Sequence, residues 1–180
     1  MEILQIAIAG SVGAGKTSFV RAISEIEVVD TERRATDETA CLKSTTTVAF
    51  DFGRITLNSQ QVVYLYGTPG QSRFDFMWDI IIRKVHAYIL LISAHRPQDF
   101  RQSRRILTFM QQRTEIPMMI GLTHTDCEGA WEPEDIALAI GLLDETSRPQ
   151  LAIVNANESK SVAQCLLVLI EQLMSTAIPH

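Results

Sequence analysis

Gly10-Ser11-Val12-Gly13-Ala14-Gly15-Lys16-Thr17 carries the pattern G-x-x-x-x-G-K-[ST]. These residue types suit one task, gripping a chain of phosphates. The glycines let the backbone curl so that successive N–H groups point inward as a nest. A helix starting near Gly15, with Ser18 in its first turn, adds the positive end of its dipole. The Lys16 ammonium can reach β- and γ-phosphates, and the Thr17 hydroxyl can coordinate Mg²⁺. An ordinary strand-to-helix turn can also hold three glycines. It would leave the Lys16-Thr17 pair behind them without a purpose.

The loop needs a strand before it and a helix after it, and both are legible. Ile3 to Ala9 is an apolar run, and Ser18-Phe19-Val20-Arg21-Ala22-Ile23 reads as a helix start. Val48 to Leu57 alternates as a strand, Asn58-Ser59-Gln60 makes a turn, and Gln61 to Tyr66 is a second strand. So short a connection implies an antiparallel hairpin. His86 to Ser93, Pro117 to Thr123 and Gln150 to Val154 read as further strands. Helices are expected over Pro97 to Arg113, Pro133 to about Glu145, and Ser159 to about Thr176. The last is apolar along Val162, Leu166, Leu169, Ile170 and Leu173. Apolar strands separated by helices indicate an α/β protein with a mostly parallel sheet covered on both faces. Ligands then sit at the carboxyl ends of the strands. The long polar stretch from Val29 to Thr46 lacks periodicity, as functional or mobile loops do.

Composition excludes several classes. The chain has 180 residues, 46% of them apolar, enough for a single domain with a sizeable core. A net charge of −5 argues against nucleic acid or an anionic membrane as the main partner. No apolar run reaches the ~18 residues of a membrane span. Met1 leads directly into a strand and neither end carries a lipidation signal, so no signal peptide or anchor is expected. Cys41, Cys127 and Cys165 are scattered and odd in number, which fits reduced thiols in a cytoplasmic protein.

With these residues in view, nearly the whole chain resembles a Ras-like small GTPase. Two segments, Lys43-Ser44-Thr45-Thr46-Thr47-Val48-Ala49-Phe50-Asp51-Phe52-Gly53 and Tyr66-Gly67-Thr68-Pro69-Gly70-Gln71, resemble a bacterial branch. That branch holds the Mgl-type motility GTPases and the GTPases of operons that also encode roadblock-domain proteins. The resemblance implies a Ras-like P-loop NTPase fold over residues 1–180, with a six-stranded, mostly parallel sheet and helices on both faces. It implies GTP or GDP as ligand, with Mg²⁺.

Switch I would span 30–47, and Thr47 would approach the γ-phosphate and Mg²⁺, with Thr46 the alternative register. Switch II would span 67–80. Gly70 would offer its N–H to the γ-phosphate, and Gln71 would orient the attacking water. Ras-like proteins carry an Asp where this chain has Gly67, so the usual metal-linked carboxylate is absent. Asp51 could replace the lost metal partner, but an acidic residue there also occurs in Ras-like strands that keep their Asp, so it is read as structural by default. Asp126 stands where a carboxylate accepts two hydrogen bonds from the guanine edge, which adenine cannot supply. His124 replaces the Lys whose stem covers the base, and Thr123 replaces an Asn that ties the phosphate loop in place. Asn155-Ala156-Asn157 follows the last strand, where the Ala156 N–H would meet the guanine oxygen.

Catalysis would rest on Lys16 and Gln71, and the metal on Thr17 and Thr47. Val12 adds bulk beside the γ-phosphate, so unassisted turnover is expected to be slow, on the order of 10⁻⁴ per second. An arginine could come from a partner, or from Arg33 or Arg34. Some of Phe74, Phe76, Met77 and Trp78 are expected to be exposed, because one helix face cannot bury them all. Exposed aromatics would dock a protein effector or activator, by resemblance a roadblock-domain protein. A scaffold that holds nucleotide without turnover is the alternative. A P-loop kinase is the weaker rival, since no Arg-rich lid is evident. Arg101, Arg104 and Arg105 share a helical face, with Arg96 before them and Arg113 beyond; it is read as solvated, with a docking surface for an acidic partner as the alternative. His86, His95 and His180 lack ligand spacing.

Overall fold

The computed structural model describes residues 2–28, 51–70 and 76–176. Its strands are β1 (Glu2–Gly10), β2 (Asp51–Asn58), β3 (Gln61–Gly67), β4 (Ala87–Ser93), β5 (Met118–Thr123) and β6 (Gln150–Ile153). Its helices are α1 (Lys16–Ile23), α2 (Phe76–Ile82), α3 (Phe100–Gln111), α4 (Pro133–Ala139) and α5 (Ser159–Thr176). The strands form one six-stranded sheet in the order β2-β3-β1-β4-β5-β6. β2 is antiparallel to β3, and the other pairs are parallel. The β2–β3 turn is fixed by Asn58, whose Oδ1 accepts the backbone N–H groups of Gln60 and Gln61.

Successive strand residues point to opposite faces, so each parallel strand feeds two cores. Ile6 and Ile8 of β1 join Ile89 and Leu91 of β4 against Phe19 and Val20 of α1 and Val162 and Leu166 of α5. Ala7 and Ala9, with Leu90 and Ile92, face Trp78 of α2, Leu107 and Met110 of α3, and Ile136 of α4. Every residue of β4 is buried, which explains its unbroken apolar sequence. This packing holds the carboxyl ends of β1, β3, β4 and β5 side by side beneath the phosphate loop.

The structure adjusts three expected elements. Pro97–Asp99 forms a 3₁₀ turn and α3 begins only at Phe100. α4 ends at Ala139 rather than near Glu145. Gly141 has φ +92°, the Leu142 N–H donates to the Ala137 carbonyl, and the Gly141 N–H donates to that of Leu138. That is a Schellman stop, and a left-handed residue there favours glycine. In α2 the helical phase buries Trp78 and Ile81 and leaves Ile80 52% exposed. The expected exposed aromatics therefore do not include Trp78, which is core. Among the described residues no helix is long and apolar enough to cross a membrane.

Candidate functional site

The loop between β1 and α1 follows from its glycines. Gly13 has φ +78° and Gly15 φ +100°, both left-handed. Gly15 is the N-cap of α1, whose first turn has no acidic residue and no side-chain cap bond. The positive end of the α1 dipole is thus directed into the cavity, with no acidic residue in the helix's own first turn, as suits an anion site. The cavity measures about 230 Å³ and is lined by Val12, Gly13, Gly15, Lys16, Thr17, Ser18, Asp51, Gly67, Thr68, Pro69 and His124. Lys16 is buried, and its ammonium donates to the Ser11 carbonyl at 2.7 Å.

One end of this cavity is closed by the start of the expected switch II. The Thr68 N–H and hydroxyl both donate to the Ile8 carbonyl, at 2.9 and 3.1 Å. That anchor brings Gly70 onto the loop. A Cβ at Gly70 would lie 2.5 Å from the Val12 nitrogen and 2.8 Å from the Lys16 ammonium. Only glycine fits there, and its backbone converges with that of Val12 and with Lys16 on one point.

The position of Asp51 favours its alternative reading over the structural default. Asp51 is a buried cavity residue, not a passive strand residue, and the Thr17 hydroxyl donates to its Oδ2. β2–β3 pairing places Asp51 directly opposite Gly67. A Cβ on Gly67 would come within 2.9 Å of the Asp51 Cβ and 3.2 Å of its Oδ2. The carboxylate missing from position 67 thus has a counterpart one strand over, and that counterpart fills the space a side chain at 67 would need. A hydroxyl beside a carboxylate is a donor set for a hard, oxygen-seeking cation such as Mg²⁺, with phosphate and water completing the shell. Such a site needs no cluster of three or more His, Cys, Asp or Glu, and among the described residues there is none.

The tie attributed to an Asn in the wider family is present here in another form. The Thr123 hydroxyl, fully buried, donates to the Ala14 carbonyl at 2.8 Å. A hydroxyl has one proton. Its 3.0 Å contact with His124 Nδ1 therefore makes that nitrogen the donor. His124 sits at φ 56° on the cavity wall, 3.1 Å from the Ser93 hydroxyl and 4.8 Å from the His95 ring. Its pKa is held below the usual histidine value, first by burial and then by His95 and Arg96, with Asp126 opposing. That shift favours the neutral imidazole.

Asp126 is exposed two residues beyond His124, and its carboxylate meets only the Cys127 thiol, at 4.0 Å, among the described residues. It caps no helix there. Asn155-Ala156-Asn157 packs on the far side of the loop, with the Ala156 Cβ 3.1 Å from where a Cβ of Gly15 would stand. Asn155 Oδ1 accepts the Asn157 N–H, and the Asn155 N–H donates to Ser161. Of the other histidines, His86 accepts the Gln5 N–H at 2.9 Å and so splices β4 to β1. Thr47, Gln71, Arg33, Arg34, Cys41 and Phe74 lie outside the described residues, as do all of 30–47 and part of 67–80.

A phosphate loop on a β2-β3-β1-β4-β5-β6 sheet, with Lys16, Thr17 and Gly70 converging on it, defines a nucleotide-binding P-loop protein of the Ras-like small-GTPase fold. A solved structure of the Arl6 (BBS3) small GTPase of Trypanosoma brucei, with the bound nucleotide analogue GppNp, superposes with a TM-score of 0.69. It is 14% identical, and the match covers 97% of this chain and 99% of that one. The family model described as "conserved hypothetical ATP binding protein" matches residues 26–176, and the chain belongs to that family. The phosphate loop itself precedes the matched residues. ADP-ribosylation factor-like protein 8b of Arabidopsis thaliana is 28% identical over 148 residues, 81% of this chain and 73% of the relative. An uncharacterized protein of Methanocaldococcus jannaschii is 26% identical over 80 residues, 44% of this chain. That alignment spans half the length of the archaeal protein.

Proposed function

We propose that the chain is a guanine-nucleotide switch that binds GTP or GDP with Mg²⁺, hydrolyses GTP slowly, and acts through a protein docked on its switch regions. The observation that carries this reading is the Thr17–Asp51 pair beside Gly67, Gly70 and Lys16. Those residues gather donors for a cation and for a terminal phosphate at one end of the cavity. Thr17 and Asp51 would hold the Mg²⁺, Asp51 directly or through water, with Thr47 joining from switch I. When bound, the ion would neutralise charge on the β- and γ-phosphates. Lys16 would bind the same phosphates, and the Gly70 N–H would sense the γ-phosphate. Gln71, next in sequence, would orient water. Asp126 would select guanine over adenine, with His124 lying over the base and the Ala156 N–H meeting its oxygen. The family's printed description names ATP, so base selectivity is the sharpest point of the reading.

Val12 is 49% exposed at the cavity rim, where its bulk would crowd an attacking water or an incoming arginine. That observation favours a second reading, a scaffold that holds nucleotide without turnover. The finer likeness to bacterial Mgl-type GTPases rests on the segments around Thr47 and Gly70. It makes a roadblock-type partner and a cytoplasmic setting the natural extension of the proposal. Single-turnover hydrolysis of bound GTP separates the two readings. A rate on the order of 10⁻⁴ per second, lost in Gln71→Leu, supports the switch. No hydrolysis above the Gln71→Leu background supports the scaffold.

A further inference from the structure

Arg96, just beyond β4, precedes the arginine face read from the sequence as solvated and has no role in the site as described so far. Its guanidinium lies against the phosphate loop: a Cβ on Gly13 would stand 3.2 Å from Arg96 Nη1. Its Nε is 2.8 Å from Asp99 Oδ2, a pairing across one turn that fixes the arm and leaves the Nη end toward the loop. The Arg96 side chain remains 40% exposed, so the guanidinium is within reach of a ligand entering from solvent. It also stands close enough to His124 to weigh on its charge.

The placement along the site identifies which ligand atoms it would meet. The terminal end is where Gly70, Val12 and the Lys16 ammonium converge. The base end is where β5 gives way to His124 and Asp126. Gly13 and Arg96 lie between the two, where P-loop N–H groups cradle the inner phosphates. We propose that Arg96 is a second phosphate-binding cation, contacting the α- and β-phosphates of the bound nucleotide rather than the terminal one. Its contact is then common to the diphosphate and triphosphate states, and it adds to grip without adding to switching. A planar, permanently charged fork suits two phosphate oxygens better than an ammonium does.

The inference rests on nucleotide binding but not on the choice of base or on hydrolysis. The test is displacement of fluorescent GDP by GDP and GTP, and of fluorescent ADP by ADP and ATP, for wild type, Arg96→Ala, Arg96→Gln and Arg96→Lys. Melting curves confirm folding, and Arg96→Gln serves if the alanine variant melts early. Charge-assisted contacts at a partly exposed site lead us to expect about tenfold weaker binding in Arg96→Ala, equal for diphosphate and triphosphate. Arg96→Lys should recover part of the loss, and the neutral variants should show a flatter dependence on salt. Unchanged affinity, or a loss confined to the triphosphate, overturns the role of Arg96 while leaving the proposed function standing. Wild type that binds only ATP and ADP overturns the guanine reading, while Arg96 is still judged on those ligands. Wild type that binds neither pair overturns both.

Discussion

Replacing Gly67 with aspartate would write back the residue most Ras-like chains carry, and here it should be damaging. The new Cβ would enter a space where the Asp51 Cβ is 2.9 Å away, a distance side chains do not tolerate. Overpacking of this kind costs about 1–3 kcal/mol. Two carboxylates about 5 Å apart at an effective dielectric near 20 repel by about 3 kcal/mol at neutral pH. Together they remove roughly 5 kcal/mol, a large part of an ordinary domain's stability. At roughly 2–4 °C per kcal/mol for a chain this size, the melting temperature should drop about 10–20 °C. The double variant Asp51→Gly/Gly67→Asp moves the carboxylate across the β2–β3 pair without crowding it. Because the two positions are in register, the effects should be strongly non-additive. Thermal and urea unfolding of wild type, both singles and the double measure this directly. A Gly67→Asp variant melting within about 2 °C of wild type would refute the steric and electrostatic argument. So would a double variant no more stable than Gly67→Asp alone.

Other expectations follow from the same geometry. Thr123→Val keeps the shape but leaves the Ala14 carbonyl without its donor, which should cost about 1–3 kcal/mol in urea unfolding and weaken nucleotide binding. Gly141→Ala forces a side chain into φ +92° and should cost about 1–2 kcal/mol by thermal melting. Burial first of all holds the folded His124 pKa below the ordinary histidine value, so the fold binds fewer protons there than the unfolded chain. Stability should therefore fall as pH drops below about 6.5 and the loss should level off below the folded value, whereas His124→Asn should lack that component when melting is followed from pH 8 to 5. Burial pushes the Cys165 thiol up to about 12, so a thiol reagent should label Cys127 in the native protein and reach Cys165 only on unfolding, as mass spectrometry would show.

The sequence made the sheet legible because its strands announce themselves chemically. β4 must be apolar throughout since both its faces are covered, and the phosphate loop is written in consecutive residues. What escaped depends on residues distant in sequence. Asp51 could be named from the sequence as an alternative to the carboxylate missing at Gly67, but that the side chains at 51 and 67 compete for one volume shows only once β2 and β3 are in register. The Thr123 tie depends on its hydroxyl coming within 2.8 Å of the Ala14 carbonyl, which residue type alone does not reveal. Gly141 was hidden because Leu142 and Leu143 continue an apolar pattern past the Schellman stop. Which of Phe74, Phe76, Met77 and Trp78 is core was left open because the phase of α2 could not be read from a segment apolar on nearly every side. The burial of Trp78 beside an exposed Ile80 sets that phase.

The central claim is that this cavity holds a guanine nucleotide with Mg²⁺. Equilibrium displacement of fluorescent GDP from wild-type protein by GDP and by ADP, with and without Mg²⁺, tests it most directly. The account predicts displacement by GDP at least 100-fold better than by ADP, as expected where a carboxylate is left unpaired by the wrong base, and weaker nucleotide binding when Mg²⁺ is removed. Equal displacement by ADP, or affinity indifferent to Mg²⁺, would contradict it.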